Sequence, residues 1–143
     1  LDEDVSRACQ LAQKLQTRLI RGFSFYQPKN QPPESYLDEA AERLSQIAQR
    51  VDAHGLTFGL EVEANLIGQS GTLLAELHRR VNHPAMVLIF DGANLVCQGM
   101  STDQVRSQYE AMKPGLGWLH IKDYACPSQR VSHVDEESLK QFV

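Results

Sequence analysis

Three ionisable residues close three separate apolar runs: Glu61 ends LTFGLE, Asp91 ends MVLIFD, and His120 lies within GWLHIKD. Packing alone gives such runs no use for an ionisable group, since a buried charge without a partner is costly. The intervals are 30 residues from Glu61 to Asp91 and 29 from Asp91 to His120. Adjacent parallel strands lie about 4.8 Å apart, so side chains at equivalent heights on three neighbours can converge on one point. Two carboxylate oxygens and one imidazole nitrogen suit a single divalent ion, Mn²⁺, Zn²⁺, Co²⁺ or Mg²⁺, and fit a soft metal poorly. Singly, each residue has a plainer role, because a strand-end carboxylate commonly caps a helix and a strand histidine is commonly hydrogen-bonded core. Their shared place at the ends of successive strands favours the metal.

Strands alternating with helices must position these residues. Val5, Ala8, Leu11, Ala12 and Leu15 form one stripe of period 3.6, which predicts an opening helix. Residues 17–26 are aliphatic and aromatic and run into QPKNQPPES, a strand entering a loop. Pro33 suits the first turn of a second helix, whose inward positions are Tyr36, Leu37, Ala40, Ala41, Leu44, Ile47, Ala48 and Val51 and which His54-Gly55 ends. Residues 56–63 form a strand. A helix follows over about 71–81, with Ser70 or Thr72 as its cap and Leu73, Leu74, Leu77 and Val81 inward. Residues 86–91 are a continuous apolar run, as in a strand buried on both faces. GANLVCQGM reads as a loop, and the next helix is capped at Ser101, Thr102 or Asp103, carries Val105, Tyr109 and Met112 on one side, and stops at Pro114-Gly115. Residues 117–123 are the last strand.

Strand starts about 30 to 40 residues apart match the length of a βα unit. Two architectures are built this way, the open doubly wound sheet and the closed barrel. The chain has no GxGxxG and no GxxxxGK[ST], whereas polar residues closing one strand after another are the pattern of a barrel mouth.

Bulk properties narrow the partners. With 143 residues, 42% hydrophobic and 22% charged, the chain is one globular domain or a piece of one, and no segment reaches the ~18 apolar residues a membrane span needs. A formal charge of −4 supplies no field for a nucleic acid backbone, so neither nucleic acid nor membrane is an expected partner. Cys9, Cys97 and Cys126 are odd in number and contain no CxxC pair, which argues against disulfides and zinc knuckles and for a reducing, cytoplasmic setting. The acidic, amphipathic start is unlike a signal peptide, and the lack of an initiator Met reads as a chain missing its beginning.

The segments LEVEANLIGQSG, VLIFDGAN and GWLHIKDY resemble three strands of the sugar phosphate isomerase/epimerase family, the xylose isomerase-like TIM barrels. The resemblance implies a (β/α)8 barrel of which residues 1–143 supply strands four to seven as part of one domain. It also implies that the Glu of strand five, the Asp of strand six and the His of strand seven bind the metal; these are Glu61, Asp91 and His120. The family's fourth ligand, a Glu on strand eight, is then expected beyond residue 143. Four strands do not close an eight-strand barrel, so the chain is expected to belong to a longer protein, or to pair with another copy as a homo-oligomer.

The implied activity is isomerisation or epimerisation of a sugar, a sugar phosphate or a similar hydroxy-carbonyl compound by proton transfer through an enediolate, with Glu61 as one of two acid/base carboxylates. Alternatives are a lyase of the inosose-dehydratase type on the same metal and a barrel that binds sugar without catalysis. Glu63, one step into the loop, is expected to contact substrate or support the ligands. Asn94 stands where many relatives carry a His and can bond a hydroxyl but cannot act as an acid or base. That departure disfavours a multi-zinc phosphodiesterase; His133 and Asp135, the other nearby candidates, read as the capped start of a helix. Lys122 shares a face with His120, and burial there requires a partner: Glu61, Asp91, a substrate oxygen or a phosphate. Arg21 has an ambiguous phase in its strand, with a salt bridge to the barrel wall as the simpler role. Phe23, Phe25 and Tyr26 end the first strand near the mouth, and His54, His78 and His83 receive no catalytic role.

Overall fold

The computed structural model describes residues 2–122. Its elements are helix α1 (Asp2–Lys14), strand β1 (Leu19–Gly22), helix α2 (Leu37–Ala53), β2 (Thr57–Glu61), α3 (Gly71–Val81), β3 (Met86–Asp91), a short α4 (Gly92–Cys97), α5 (Thr102–Met112) and β4 (Leu116–His120). Single 3-10 turns precede α2 (Pro33–Tyr36) and β4 (Lys113–Gly115). The strands pair in parallel in the order β1-β2-β3-β4, so each βα unit lays its strand beside the last. This is a four-strand arc of a parallel barrel with helices on its outer face.

The two faces of the sheet have different chemistry. Phe58, Leu60, Met86 and Leu88 join the helix-facing core with Leu44, Ala48, Val51, Leu74 and Leu77. Full burial of a Leu, Ile or Val contributes about 1.5–3 kcal/mol each, so this layer holds the arc together. Register places Arg21 opposite Gly59, Glu61 opposite Ile89, and Asp91 opposite His120. Because side chains alternate along a strand, Arg21, Glu61, Asp91 and His120 all share the inner face.

Several boundaries depart from the expected ones. Only Leu19–Gly22 of residues 17–26 join the sheet; the chain then crosses the mouth, where Ser24 Oγ accepts from Gly68 N (2.7 Å), Phe25 O accepts from Ile67 N (2.9 Å), and Tyr26 makes one antiparallel bridge with Leu66. These bonds satisfy the backbone outside the ladder, so the strand need not continue. In α1 the buried side is Cys9 and Ala12, with Leu11 and Leu15 exposed. The helix packs mainly on α2 and β1, which cover a narrower stripe than the apolar pattern offers. Of α2's expected inward residues, Tyr36 is half-buried in the preceding turn; the helix starts at Leu37, and Gly55 follows it in the left-handed region at φ 67°.

Residues 92–97, expected in a loop, form α4 because Asp91 caps them, its Oδ1 accepting from Asn94 N at 3.1 Å. Ser70 caps α3, and Ser101 caps α5 in a reciprocal box with Gln104. β3 is mostly buried, with Val87 and Phe90 partly covered and Phe90 meeting the Tyr109 ring edge-on. β4 begins one residue early, and a register shift opposite Leu88 and Ile89 leaves Gly117 where a Cβ would collide with Val87. The last expected strand residue, Asp123, lies outside the described residues, as do Cys126, His133 and Asp135.

Candidate metal centre

Glu61, Asp91 and His120 are each the last residue of their strands. Glu61 is 1% exposed and Asp91 0%. His120 Nδ1 lies 3.0 Å from Glu61 Oε1 and 3.8 Å from Asp91 Oδ2, and one donor atom from each of the three residues falls within 4.8 Å of the others. Ligands held at about 2.1 Å from a common ion stand roughly 3.0–3.5 Å apart at adjacent positions, so small adjustments bring this set to a metal. Asp91 divides its two oxygens: Oδ1 caps α4, while Oδ2 is buried without a well-angled hydrogen bond. The charge partner of that oxygen is a nearby ammonium, that of Lys122 at 2.8 Å. Two carboxylates and an imidazole gathered this closely are a donor set that fits a hard divalent ion.

Three positively charged or polar side chains surround the carboxylates. Arg21 donates through Nη1 to Glu61 Oε2 at 2.7 Å, and its guanidinium lies 4.7 Å from the centre of the Phe23 ring. The ambiguity of Arg21's phase is thus resolved toward the interior, onto the central carboxylate; the available signal was a lone Arg inside the apolar LIRGF. Lys122 Nζ stands 2.8 Å from Asp91 Oδ2 and also donates to Asn94 Oδ1 at 2.8 Å. It is half exposed beyond the end of β4 rather than buried within the strand. The Lys122–Asp91 contact is an ion pair by distance without hydrogen-bond geometry at Oδ2, a weaker hold than the Arg21–Glu61 bond.

Asn94 is buried and joins the parts. Its Nδ2 points at Val62 O (2.9 Å), Glu63 Oε2 (3.2 Å) and, more distantly, Glu61 Oε1 (3.4 Å). Glu63 also accepts from Ala64 N at 2.8 Å. Burial pushes the Glu63 carboxyl above the ordinary carboxylate range, against the lowering effects of the Ala64 N–H and of Lys122. Glu63, Asn94 and Lys122 line a cavity of about 580 Å³ with Phe23, Ser24 and Tyr26, adjoining the three-residue cluster. Phe25 instead faces Arg43, whose guanidinium lies 5.5 Å from its ring centre.

Among the described residues, the other histidines lie apart from this cluster. His54 Nδ1 meets Arg50 O at 2.8 Å, His78 Nε2 meets Met86 O at 3.1 Å, and His83 Nδ1 accepts from Ala85 N at 3.2 Å.

A parallel βα arc with acidic and imidazole donors at its strand ends defines the class: an α/β barrel protein with a candidate metal centre at the C-terminal mouth. The sequence matches the family described as Xylose isomerase-like TIM barrel over residues 3–138, and the chain belongs to that family. No curated protein matches it. Among solved structures, it is similar to a probable 3-DHS dehydratase from Bacillus anthracis, with TM-score 0.73, 19% identity, and 87% of this chain and 44% of that one covered. A Xylose isomerase-like TIM barrel protein from Mycobacterium smegmatis in complex with magnesium gives TM-score 0.70 and 20% identity, covering 86% of this chain and 45% of that one. A D-allulose 3-epimerase from Methylomonas sp. gives 0.69 and 18% identity, covering 98% and 51%. The chain thus spans about half the length of these structures or less, and at these identities the likeness is one of fold. Among the described residues no helix is long and apolar enough to cross a membrane.

Proposed function

We propose that the protein is a divalent-metal-dependent isomerase or epimerase of a sugar or sugar-like hydroxy-carbonyl compound, acting by proton transfer through an enediolate. The observation that carries this reading is the meeting of Glu61, Asp91 and His120 at three strand ends, with Asp91 Oδ2 buried and lacking a hydrogen bond. These three are the proposed ligands. A divalent ion bound there supplies Lewis acidity toward a substrate carbonyl.

The residues of the chain do the rest. Glu61 takes a proton from the carbon beside the carbonyl on the second lone pair of Oε2, the oxygen not turned to His120; the C–H pair becomes the C=C bond, and the carbonyl pair moves onto oxygen. Return of the proton to the neighbouring carbon, with the hydroxyl proton passing to the former carbonyl oxygen, gives the isomer; protonation of the same carbon from its opposite face, by the second acid/base carboxylate that the family resemblance implies, gives the epimer. Arg21 fixes Glu61 through Oε2, so that Oε1 faces His120. Glu63, Asn94 and Lys122 line the adjoining cavity and are the proposed substrate-binding residues. A sugar is of a size to enter a cavity of about 580 Å³, and Phe23 and Tyr26 offer apolar walls to its C–H face.

The test is Glu61→Gln in the full-length protein, which removes both the charge and the base while preserving shape. A fall in kcat of about 10²–10⁴-fold is expected, the range typical of a lost acid/base group. Turnover in ²H₂O should place deuterium on the carbon that exchanges its proton. Full activity of Glu61→Gln, or products free of deuterium, would sink the assignment. Loss of water from the substrate would move the reading to the lyase.

A further inference from the structure

Asp91 Oδ2 is in demand from two sides. It is the Asp91 oxygen facing His120, at 3.8 Å from Nδ1, and it also has the Lys122 ammonium 2.8 Å away. An ion bonded to that oxygen at about 2.1 Å would leave three positive charges crowded around one buried atom. The repulsion between that ion and the ammonium favours the departure of Lys122 when Asp91 serves as a ligand. Arg21 faces no such conflict, because it holds Glu61 by Oε2 and leaves Oε1 to the cluster.

We propose that Lys122 is the exchangeable counter-ion of the ligand set: it neutralises Asp91 in the metal-free protein and, on metal loading, pivots into the adjoining cavity, where it binds an anionic oxygen of the substrate, a carboxylate or a phosphate. The inference rests on the metal-centre reading above. Three observations support the pivot. The Lys122–Asp91 contact lacks hydrogen-bond geometry at the oxygen, so little directional bonding is lost when it breaks. The same ammonium donates to Asn94 Oδ1 at 2.8 Å, and Asn94 is anchored by Val62 O, so the tether survives the movement. The Lys122 side chain is 48% exposed and already lines the cavity, which gives it somewhere to go.

The chemistry of the ligand follows from what the ammonium would then lack. It has three donors, of which Asn94 takes one. Glu63, the carboxylate lining the same cavity, already accepts from Ala64 N and Asn94 Nδ2. The two remaining donors, once the ammonium has left Asp91, suit a substrate oxyanion. Binding is therefore ordered, metal first and anionic substrate second.

The test compares the full-length wild type with Lys122→Met, which keeps the aliphatic length and removes the charge. Mn²⁺ affinity is measured by chelator competition, and inorganic phosphate and glycolate are titrated separately by calorimetry with and without Mn²⁺. Lys122→Met is expected to bind Mn²⁺ about tenfold more tightly, a shift of about 1.4 kcal/mol. Either anion is expected to bind the Mn²⁺-loaded wild type, to bind the metal-free wild type at least about tenfold more weakly, and to lose that gain in Lys122→Met. Preference for phosphate or for glycolate tells which head group the site takes. Equal or weaker Mn²⁺ affinity in the variant overturns the exchange while leaving the metal centre standing. Anion binding that survives in the loaded variant, or is missing from the loaded wild type, overturns the substrate role of Lys122. Absence of Mn²⁺ binding in both proteins defeats the metal-centre reading, and the exchange with it.

Discussion

Replacing Asp91 separates two roles that its two oxygens divide between them. Oδ1 caps α4 at 3.1 Å from Asn94 N, and Oδ2 faces Lys122 and His120. Asp91→Asn keeps an oxygen at the cap, and Asn caps about as well as Asp, so metal-free stability should change by no more than about 0.5 kcal/mol. Lys122, half exposed, can turn to water when its partner loses charge. Asp91→Ala loses the cap and should cost about 1–2 kcal/mol. The metal response divides the variants differently. At an ion concentration about 100 times Kd, binding stabilises the wild type by about 2.7 kcal/mol, or roughly 5–10 °C in Tm. If the amide weakens the metal about 100-fold, the stabilisation at the same concentration falls to about 0.4 kcal/mol. Thermal denaturation of the wild type and both variants, with and without Mn²⁺, measures every term. An Asn variant that keeps the full Mn²⁺ shift would remove Asp91 from the ligand set, and an Ala variant as stable as the Asn one would refute the cap.

Other consequences are open to direct measurement. Gly71→Ala places a Cβ against the backbone carbonyl of Gln108, which cannot swing away as a side chain would, and chemical denaturation should show a loss of about 1–3 kcal/mol; an unchanged midpoint would contradict the close approach of α3 and α5. Leu74→Ala, at a fully buried position, should cost about 2–5 kcal/mol by the same assay, and a loss under about 1 kcal/mol would count against the helix-facing core. Hydrogen bonds from Arg79 and Arg80 lower the Glu76 carboxyl from 4.5 to about 2. Its folded pKa is below its unfolded one, so its contribution to stability is present above pH 4.5 and is lost as pH falls toward 2. Carboxyl NMR should find that titration, and a midpoint near the ordinary value would refute the pairing. Burial raises the Cys9 thiol, so it should resist thiol reagents until the protein unfolds; rapid labelling of the native protein would show the α1–α2 contact to be open.

What the residues disclosed in advance follows from how strongly each pattern constrains the backbone. The period of α2 and the runs of β2 and β3 are legible because repetition over one or two turns has few other uses, and the starts of α3 and α5 are legible to within a residue or two, the structure selecting Ser70 and Ser101 from neighbouring candidate caps. β1 is shorter than its pattern because its aromatic tail looks like a strand continuing, while the bonds that take it out of the sheet join Ser24 and Phe25 to Gly68 and Ile67, more than forty residues away. α4 does not show in the sequence because six residues beginning with Gly are too few to show a period. Its sole local signal was Asp91, already claimed by a different role.

The two readings of Asp91, helix cap and metal ligand, looked like competitors in the sequence because a residue is the unit of sequence. In the structure the unit is the atom, and one carboxylate has two. Capping by Oδ1 holds the side chain against α4 and so aims Oδ2 at His120 and Lys122. The plainer role thereby prepares the other, since an oxygen whose partner is locked in a helix cap cannot rotate away from the cluster. Asn94 repeats the arrangement: its backbone N–H receives the cap, while its side chain ties Val62, Glu63 and Lys122 together. A His at that position could accept from Lys122 through one ring nitrogen and donate through the other, but a planar ring with its two nitrogens set apart cannot reproduce the adjacent donor and acceptor of the amide. Asn94 Oδ1 thus supplies the tether for Lys122 while its amide nitrogen holds Val62 and Glu63, and the proposed single-ion site with a movable cation is consistent with that arrangement.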